Sequence, residues 1–312
     1  MTRILFIISI LIGIASCNTA TKLPAEMDTY ELSQELLKTP KNANLYFLRA
    51  KQFYDRKSID SAFVDAQLAV NIDTTNKEYN RLLANIAFNN NKTSITKKSF
   101  ERVLQADSTD TEALVKLAEL HLYVQMYQPA INYCNRLLRR NKNYPKGYFI
   151  KGMIYKELKD TATAISSFQT TIEQDNKYVD AFEQLGNIYL ARLDKKAIYY
   201  YDAALAIQPA LPGVLYNKAF YYQQLDSTNK AIVLYENFIS AYPTAKQGYH
   251  NLGYMYLYDK QNYPTALFYF DKAIALDTNY LGALENKQIT LQKMGKSAEA
   301  NALNLLIQQK SK

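Results

Sequence analysis

Tryptophan is absent from this chain, and cysteine and histidine occur only twice each. Two cysteines, Cys17 and Cys134, exclude a framework of several disulfides. His121 and His250 lie far apart in sequence, and the chain has no HExxH, CxxC, GxGxxG, P-loop or GxSxG motif. The usual sequence supports for metal, nucleotide and nucleophile chemistry are therefore missing. The chain reads as non-enzymatic, with no cofactor and no metal expected. Turns such as Asp107-Ser108-Thr109-Asp110 and Asp73-Thr74-Thr75-Asn76 carry oxygen ligands, but they lack the central glycine and closing glutamate of a calcium loop. They read instead as turns between helices and as helix N-caps. Glycine (9) and proline (8) are scarce, which suits an almost wholly helical chain. The formal net charge is +8, but the basic residues are scattered, so nucleic acid is not an expected partner. The densest basic cluster is Arg136, Arg139, Arg140 and Lys142, at the expected end of a helix. Cations suit that position, and contact with an anionic headgroup or acidic partner is the second reading.

What the chain does contain is a repeat. Hydrophobic residues make up 48% and charged residues 21% of its 312 positions, with 27 tyrosines. One stretch reads Phe182-x2-Leu185-Gly186-x2-Tyr189, then Ala197-x3-Tyr201, Ala204 and Pro209. A second reads Tyr249-x2-Leu252-Gly253-x2-Tyr256, then Ala266-x3-Phe270 and Ala273. Small residues recur at Ala50, Ala84, Ala118, Gly152, Gly186, Ala219 and Gly253, spaced by 34 residues except for one step of 33. A second small register runs through Ala62, Ala130, Ala164, Ala197, Ala231, Ala266 and Ala300, with Thr96 as the exception. Two helices that cross closely need a small residue on each, and large residues fill the wedge beside the crossing. This pattern resembles the tetratricopeptide repeat. The resemblance implies an all-α, right-handed superhelical solenoid of about eight helix-turn-helix repeats, each an A helix followed by a B helix.

In that frame, repeats start near Ala43, Lys77, Thr111, Pro145, Val179, Pro212, Lys246 and Leu281. Residues 43–310 form the repeat array, and residues 28–42 a lone B helix that caps it. The fifth repeat is one residue short around Arg192 to Lys195. The seventh is one residue long in the loop around Asp259 to Tyr263. In the eighth, Gln288 replaces the small residue, and the last helix carries Leu303, Leu306 and Ile307 on one face. That end either frays or pairs with another molecule; the oligomeric state is not set by the sequence. His121 and Cys134 fall at core positions, Cys134 as a small buried hydrophobe.

The N-terminus carries Arg3, an apolar run over residues 4–14 and then Ile14-Ala15-Ser16-Cys17. The run is too short to span a bilayer. Its end resembles the lipobox of bacterial lipoproteins. The resemblance implies a signal peptide at residues 1–16, cleavage before Cys17, acylation of Cys17 and a tether over residues 17–27. Two or more acyl chains would anchor the protein stably. Asn18, where an aspartate would signal inner-membrane retention, points to an outer-membrane lipoprotein facing the periplasm.

The resemblance also implies where a partner would bind. In this family the A helices line a concave groove through positions near 2, 5, 9 and 12 of each repeat. Here these are Arg81 and Asn85, Val115 and Glu119, Phe149 and Met153, Glu183 and Asn187, Tyr216 and Phe220, and His250, Tyr254 and Leu257. The second half is aromatic, which suits a peptide or helix laid in the groove. A clamp for a C-terminal carboxylate, known in cytosolic members, is not supported: Lys116 and Ile150 stand where Asn and Arg are needed. The expected function is a membrane-anchored scaffold or adaptor that binds a protein or peptide during envelope assembly. The alternative is a glycan or small-ligand binder using the same aromatics.

Overall fold

The computed structural model describes residues 22–310. Cys17, the expected signal segment and the first part of the expected tether lie outside the described residues. Among the described residues there are seventeen α-helices and no strand. They form two compact units, one through Leu120 and one from His121, so the division falls within a helix.

In the first unit, helix α1 (Thr29–Lys38) precedes the pairs α2 (Ala43–Asp55) with α3 (Ile59–Ile72) and α4 (Lys77–Asn89) with α5 (Thr93–Ala106). Helix α6 (Thr111–Tyr123) follows and crosses the division. Asp28 opens α1 with a capping box, its side chain accepting from the Glu31 N–H while Glu31 accepts from Asp28. Leu32 and Leu36 of α1 bury against Leu45 of α2. Arg49 and Asp65 tie α2 to α3 through two parallel bonds of 2.6 and 2.8 Å, and a third Arg49 bond reaches Ser33 of α1. The acidic turns behave as caps. Asp73 accepts from the N–H groups of Thr75 and Asn76, and Asn76 caps α4.

The second unit continues with α7 (Tyr127–Arg140), then α8 (Pro145–Glu157) with α9 (Thr161–Gln174) and α10 (Val179–Leu190) with α11 (Lys196–Ile207). The pairs α12 (Pro212–Gln224) with α13 (Thr228–Ala241) and α14 (Lys246–Tyr254) with α15 (Tyr263–Leu276) follow. The last pair is α16 (Leu281–Lys293) with α17 (Ser297–Lys310). Every A helix, α2 to α16 in even numbers, begins at the residue where the spacing places a repeat start.

The same turn closes each A helix. One residue per repeat has positive φ: Lys57, Asn91, Gln125, Lys159, Leu193, Asp226, Gln261 and Gly295. Around it runs the Schellman pattern, as in Lys57 N–H to Tyr54 O and Ser58 N–H to Phe53 O, both 2.9 Å. Glycine is the residue that takes this conformation freely, yet only the last turn has one. The first seven turns hold their backbone by hydrogen bonds and packing. The B-helix aromatics Phe100, Phe168, Tyr201, Tyr235 and Phe270 are fully buried, each contributing about 1.5–3 kcal/mol by burial. His121 and Cys134 are buried as well, and burial pushes the Cys134 thiol up to about 12.

One expectation needs correction. The extra residue of the seventh repeat does not lengthen the loop. It is taken up as a π-turn over Met255–Asp259, with Lys260 N–H bonded to Met255 O, and the closing bond runs from Asn262 to Tyr256, one residue farther than in the other repeats. At the chain end, Ile307 of α17 is buried but Leu306 is 39% exposed, so the apolar face expected there is only partly covered.

Candidate functional site

The candidate groove residues divide between the units. Arg81, Asn85 and Glu119 belong to the first. Arg81 is not available to a ligand carboxylate, because its guanidinium meets Asp110 at 2.6 Å and Glu112 at 2.6 Å. Asn85 donates to the same Glu112, and Lys116 donates to Glu119. The Arg81 and Asn85 bonds knit α4 to the start of α6, and the Lys116–Glu119 pair lies within α6. Burial works against the Asp110 carboxylate, but the Arg81 bonds outweigh it and hold its pKa below the usual range. Val115 is buried in the core.

The remaining candidates line the A helices of the second unit. Phe149 packs on Tyr178 at 5.0 Å and on Phe168 at 5.6 Å between ring centroids, with Met153 beside it in the same cluster. Glu183 is half-buried, and burial raises its carboxyl pKa, with the Asp180 charge adding to the effect. Asn187 accepts from the Tyr201 hydroxyl and the Asn217 amide, both at 2.8 Å. Tyr216 stacks on Phe220 with rings 6.4 Å apart and 6° from parallel. Tyr254 lies 4.6 Å from Tyr258 and is 37% exposed.

Leu257 is not part of this surface. It is 3% exposed and packs with Ala266 and Phe270. The π-turn is the reason: one added residue changes the angular register by roughly 100°. Tyr258, 43% exposed, takes the place expected for Leu257. The one-residue insertion ahead of Pro264 was the signal for this, and the sequence frame had assigned it to the loop.

Behind the rings runs a polar chain that sequence reasoning grasped only in part. The Tyr258 hydroxyl donates to Asn286 Oδ1 at 3.3 Å, and Asn286 Nδ2 meets His250 Nε2 at 3.0 Å. His250 Nδ1 meets Asn251 Oδ1 at 3.2 Å. Asn251 Nδ2 then donates to the hydroxyls of Tyr216 (2.9 Å) and Tyr235 (2.8 Å), and Tyr235 donates to Gln223. An amide nitrogen opposite Nε2 and an amide oxygen opposite Nδ1 suit the neutral imidazole with its proton on Nδ1. Asn217, Asn251 and Asn286 occupy one repeat position, the sixth, and each donates to the repeat before it.

Burial lowers the His250 pKa, against the Asn251 and Gly282 hydrogen bonds that favour the charged form. A depressed folded-state value means the unfolded chain binds the proton first. The stabilisation is complete above about pH 6.5, the ordinary histidine value, and is lost as pH falls toward the folded midpoint. An NMR titration of His250 is expected to give a midpoint below that of a free histidine. A midpoint at or above it would show that the imidazole is not held neutral.

Models of the tetratricopeptide repeat match residues 145–178 and residues 214–245. Among solved structures, a tetratricopeptide repeat protein from Parabacteroides merdae is 18% identical, with a TM-score of 0.58 over 80% of this chain and 98% of that one. The C-terminal part of a TPR repeat-containing protein from Cytophaga hutchinsonii is 17% identical, with a TM-score of 0.60 over 70% of this chain and 91% of that one. YrrB, described as a TPR protein with an unusual peptide-binding site, is 21% identical, with a TM-score of 0.50 over 61% of this chain and 99% of its own. Among curated proteins no relative matches this sequence.

Proposed function

Because the chain is a tetratricopeptide repeat protein, we propose that it is a non-enzymatic scaffold whose second unit holds a peptide or protein segment on its A-helix wall. One observation carries this reading. Tyr216, Phe220, Tyr254 and Tyr258 present rings from successive A helices, while the hydroxyls of Tyr216 and Tyr258 are tied to Asn251 and Asn286. Rings held this way lose little freedom when a partner arrives. Aromatic side chains are also the common anchors of protein interfaces. The peptide-binding site ascribed to YrrB agrees with this use of the fold. The charged candidates of the first unit are paired internally, so the wall recognises apolar side chains more than a charged terminus.

The finer reading adds an anchor. Ile14-Ala15-Ser16-Cys17 supports lipidation at Cys17 and a tether to residue 27, ahead of a capping half repeat over 28–42 and the repeat array over 43–310. The protein would then face the periplasm from the outer membrane and serve the assembly of an envelope complex. Crosslinking and pulldown of the lipidated protein from membranes tests the scaffold role: a partner protein is expected, and recovery of the chain alone would contradict it. Cys17→Ser is expected to release the protein from the membrane fraction and abolish palmitate labelling. Unchanged labelling and sedimentation would overturn the anchor.

A further inference from the structure

Among the described residues, the buried and half-buried carboxylates come with partners. Asp65 meets Arg49, Asp110 meets Arg81 and Asp277 meets Lys246, while Asp175 and Asp194 accept from backbone N–H groups. The remaining ones are bonded in the same ways, with one exception. Glu183 is half-buried on the A-helix wall, yet its carboxylate has neither a hydrogen bond nor an ion pair among the described residues. The charges that act on it are Asp180, which repels, and Lys156, whose ammonium is given to Gln184 at 2.7 Å.

The repeat frame shows why the partner is missing. Arg81 is fifth in its repeat and is neutralised by Glu112, second in the next. Glu183 is also fifth in its repeat, and the second residue of the next is Gly213. A Cβ on Gly213 would stand 2.8 Å from Glu183 Oε1. The position that supplies the counter-charge to Arg81 therefore touches the carboxylate here, but it has no side chain to offer. The start of α12 favours negative charge, yet no N–H of that turn bonds Glu183. The carboxylate has lost part of its hydration without a compensating bond. Gly213 is exposed, and Glu183 keeps part of its own surface in solvent, so a ligand group can reach it. Phe149 and Tyr216 hold the fifth position on α8 and α12, so a basic side chain at Glu183 has a ring on the helix to either side. Rings attract cations and cover the stem of a lysine or arginine.

We propose that Glu183 takes the guanidinium or ammonium group of the bound segment, so that the wall selects segments carrying an arginine or lysine among apolar residues. Such selectivity rests on the wall being a peptide site. Since Glu183 is half-buried, the pair is screened less by salt than one on the open surface.

Random peptides displayed on phage would be selected on the full chain, and the enriched ones synthesised. They are expected to combine apolar residues with an arginine or lysine. Exchanging that residue for glutamine is expected to weaken binding about tenfold or more on the unaltered chain, the effect of losing a charge-assisted bond. On Glu183→Gln the same exchange is expected to change little. Gly213→Lys keeps Glu183 and places an internal ammonium beside it, so it is expected to remove the preference as well. Should one variant lose helicity by circular dichroism, the other makes the same comparison. Phe220→Ala with Tyr254→Ala separates Glu183 from the wall itself. Peptides that need those two rings but carry no basic residue, or whose basic residue matters equally on Glu183→Gln, overturn the role of Glu183 and leave the wall standing. Enriched peptides that bind regardless of Phe220 and Tyr254, or no enrichment at all, overturn both.

Discussion

Phe220→Ala combined with Tyr254→Ala is expected to weaken partner binding at least about tenfold, since truncating a buried aromatic anchor commonly costs about 2 kcal/mol or more. Phe220 stacks on Tyr216, and Tyr254 lies against Tyr258, so each truncation also removes the ring that steadies its neighbour. Neither side chain belongs to the fully buried core. Helicity should therefore be unchanged, and the loss should appear in affinity alone. The residual affinity is expected to respond little to salt, because screening acts on charge. Affinity measured for a captured partner at low and moderate salt checks this. A partner that survives the double change but is lost on adding salt would place recognition on the basic surface.

Gly186→Leu is expected to unfold one part of the second unit. A Cβ placed on Gly186 would stand 2.5 Å from Tyr201 Cδ1, closer than real contacts allow. The ring cannot swing aside freely, because Tyr201 is fully buried and its hydroxyl donates to Asn187. Overpacking of this kind costs about 1–3 kcal/mol. Repeat arrays are held by nearest-neighbour interfaces, so the damage should centre on α8 to α13. Gly186→Ala puts the same Cβ against the Tyr201 ring and is expected to destabilise the same repeat, though less than leucine. Alanine already stands at this repeat position in Ala219, where it shares a core with Tyr235. The helix propensity of alanine, about 1 kcal/mol above that of glycine, recovers part of that cost. Hydrogen exchange that rises evenly over the whole chain in Gly186→Leu would argue against a repeat-by-repeat account.

The fold was legible because its causes are local and periodic. A small residue where two helices cross recurs every 34 residues or so, and the helix starts follow from it. The repeated positive-φ turn was not legible. Its residues, among them Lys57, Leu193 and Gln261, carry no common turn chemistry, and hydrogen bonds to the preceding helix impose the conformation. The wall was legible in its rings but not in its details. Leu257 and Tyr258 exchanged roles because an insertion can enter a helix as a π-turn as well as lengthen a loop. Arg81 read as available because its partners, Asp110 and Glu112, lie 29 and 31 residues further along the chain, on either side of the repeat start at Thr111. The asparagine chain needed distances, since Asn251 and Asn286 look the same in sequence whether they face a ligand or a tyrosine.

Photocrosslinking from single positions in living cells tests the central claim most directly. A photoreactive phenylalanine analogue would replace Tyr254 or Phe220 on the A-helix wall, and Phe268 or Val233, both exposed on B helices, as the comparison. The scaffold account predicts a crosslinked partner protein from positions 254 and 220, and none from positions 268 and 233. Crosslinks from the B-helix positions alone would contradict it.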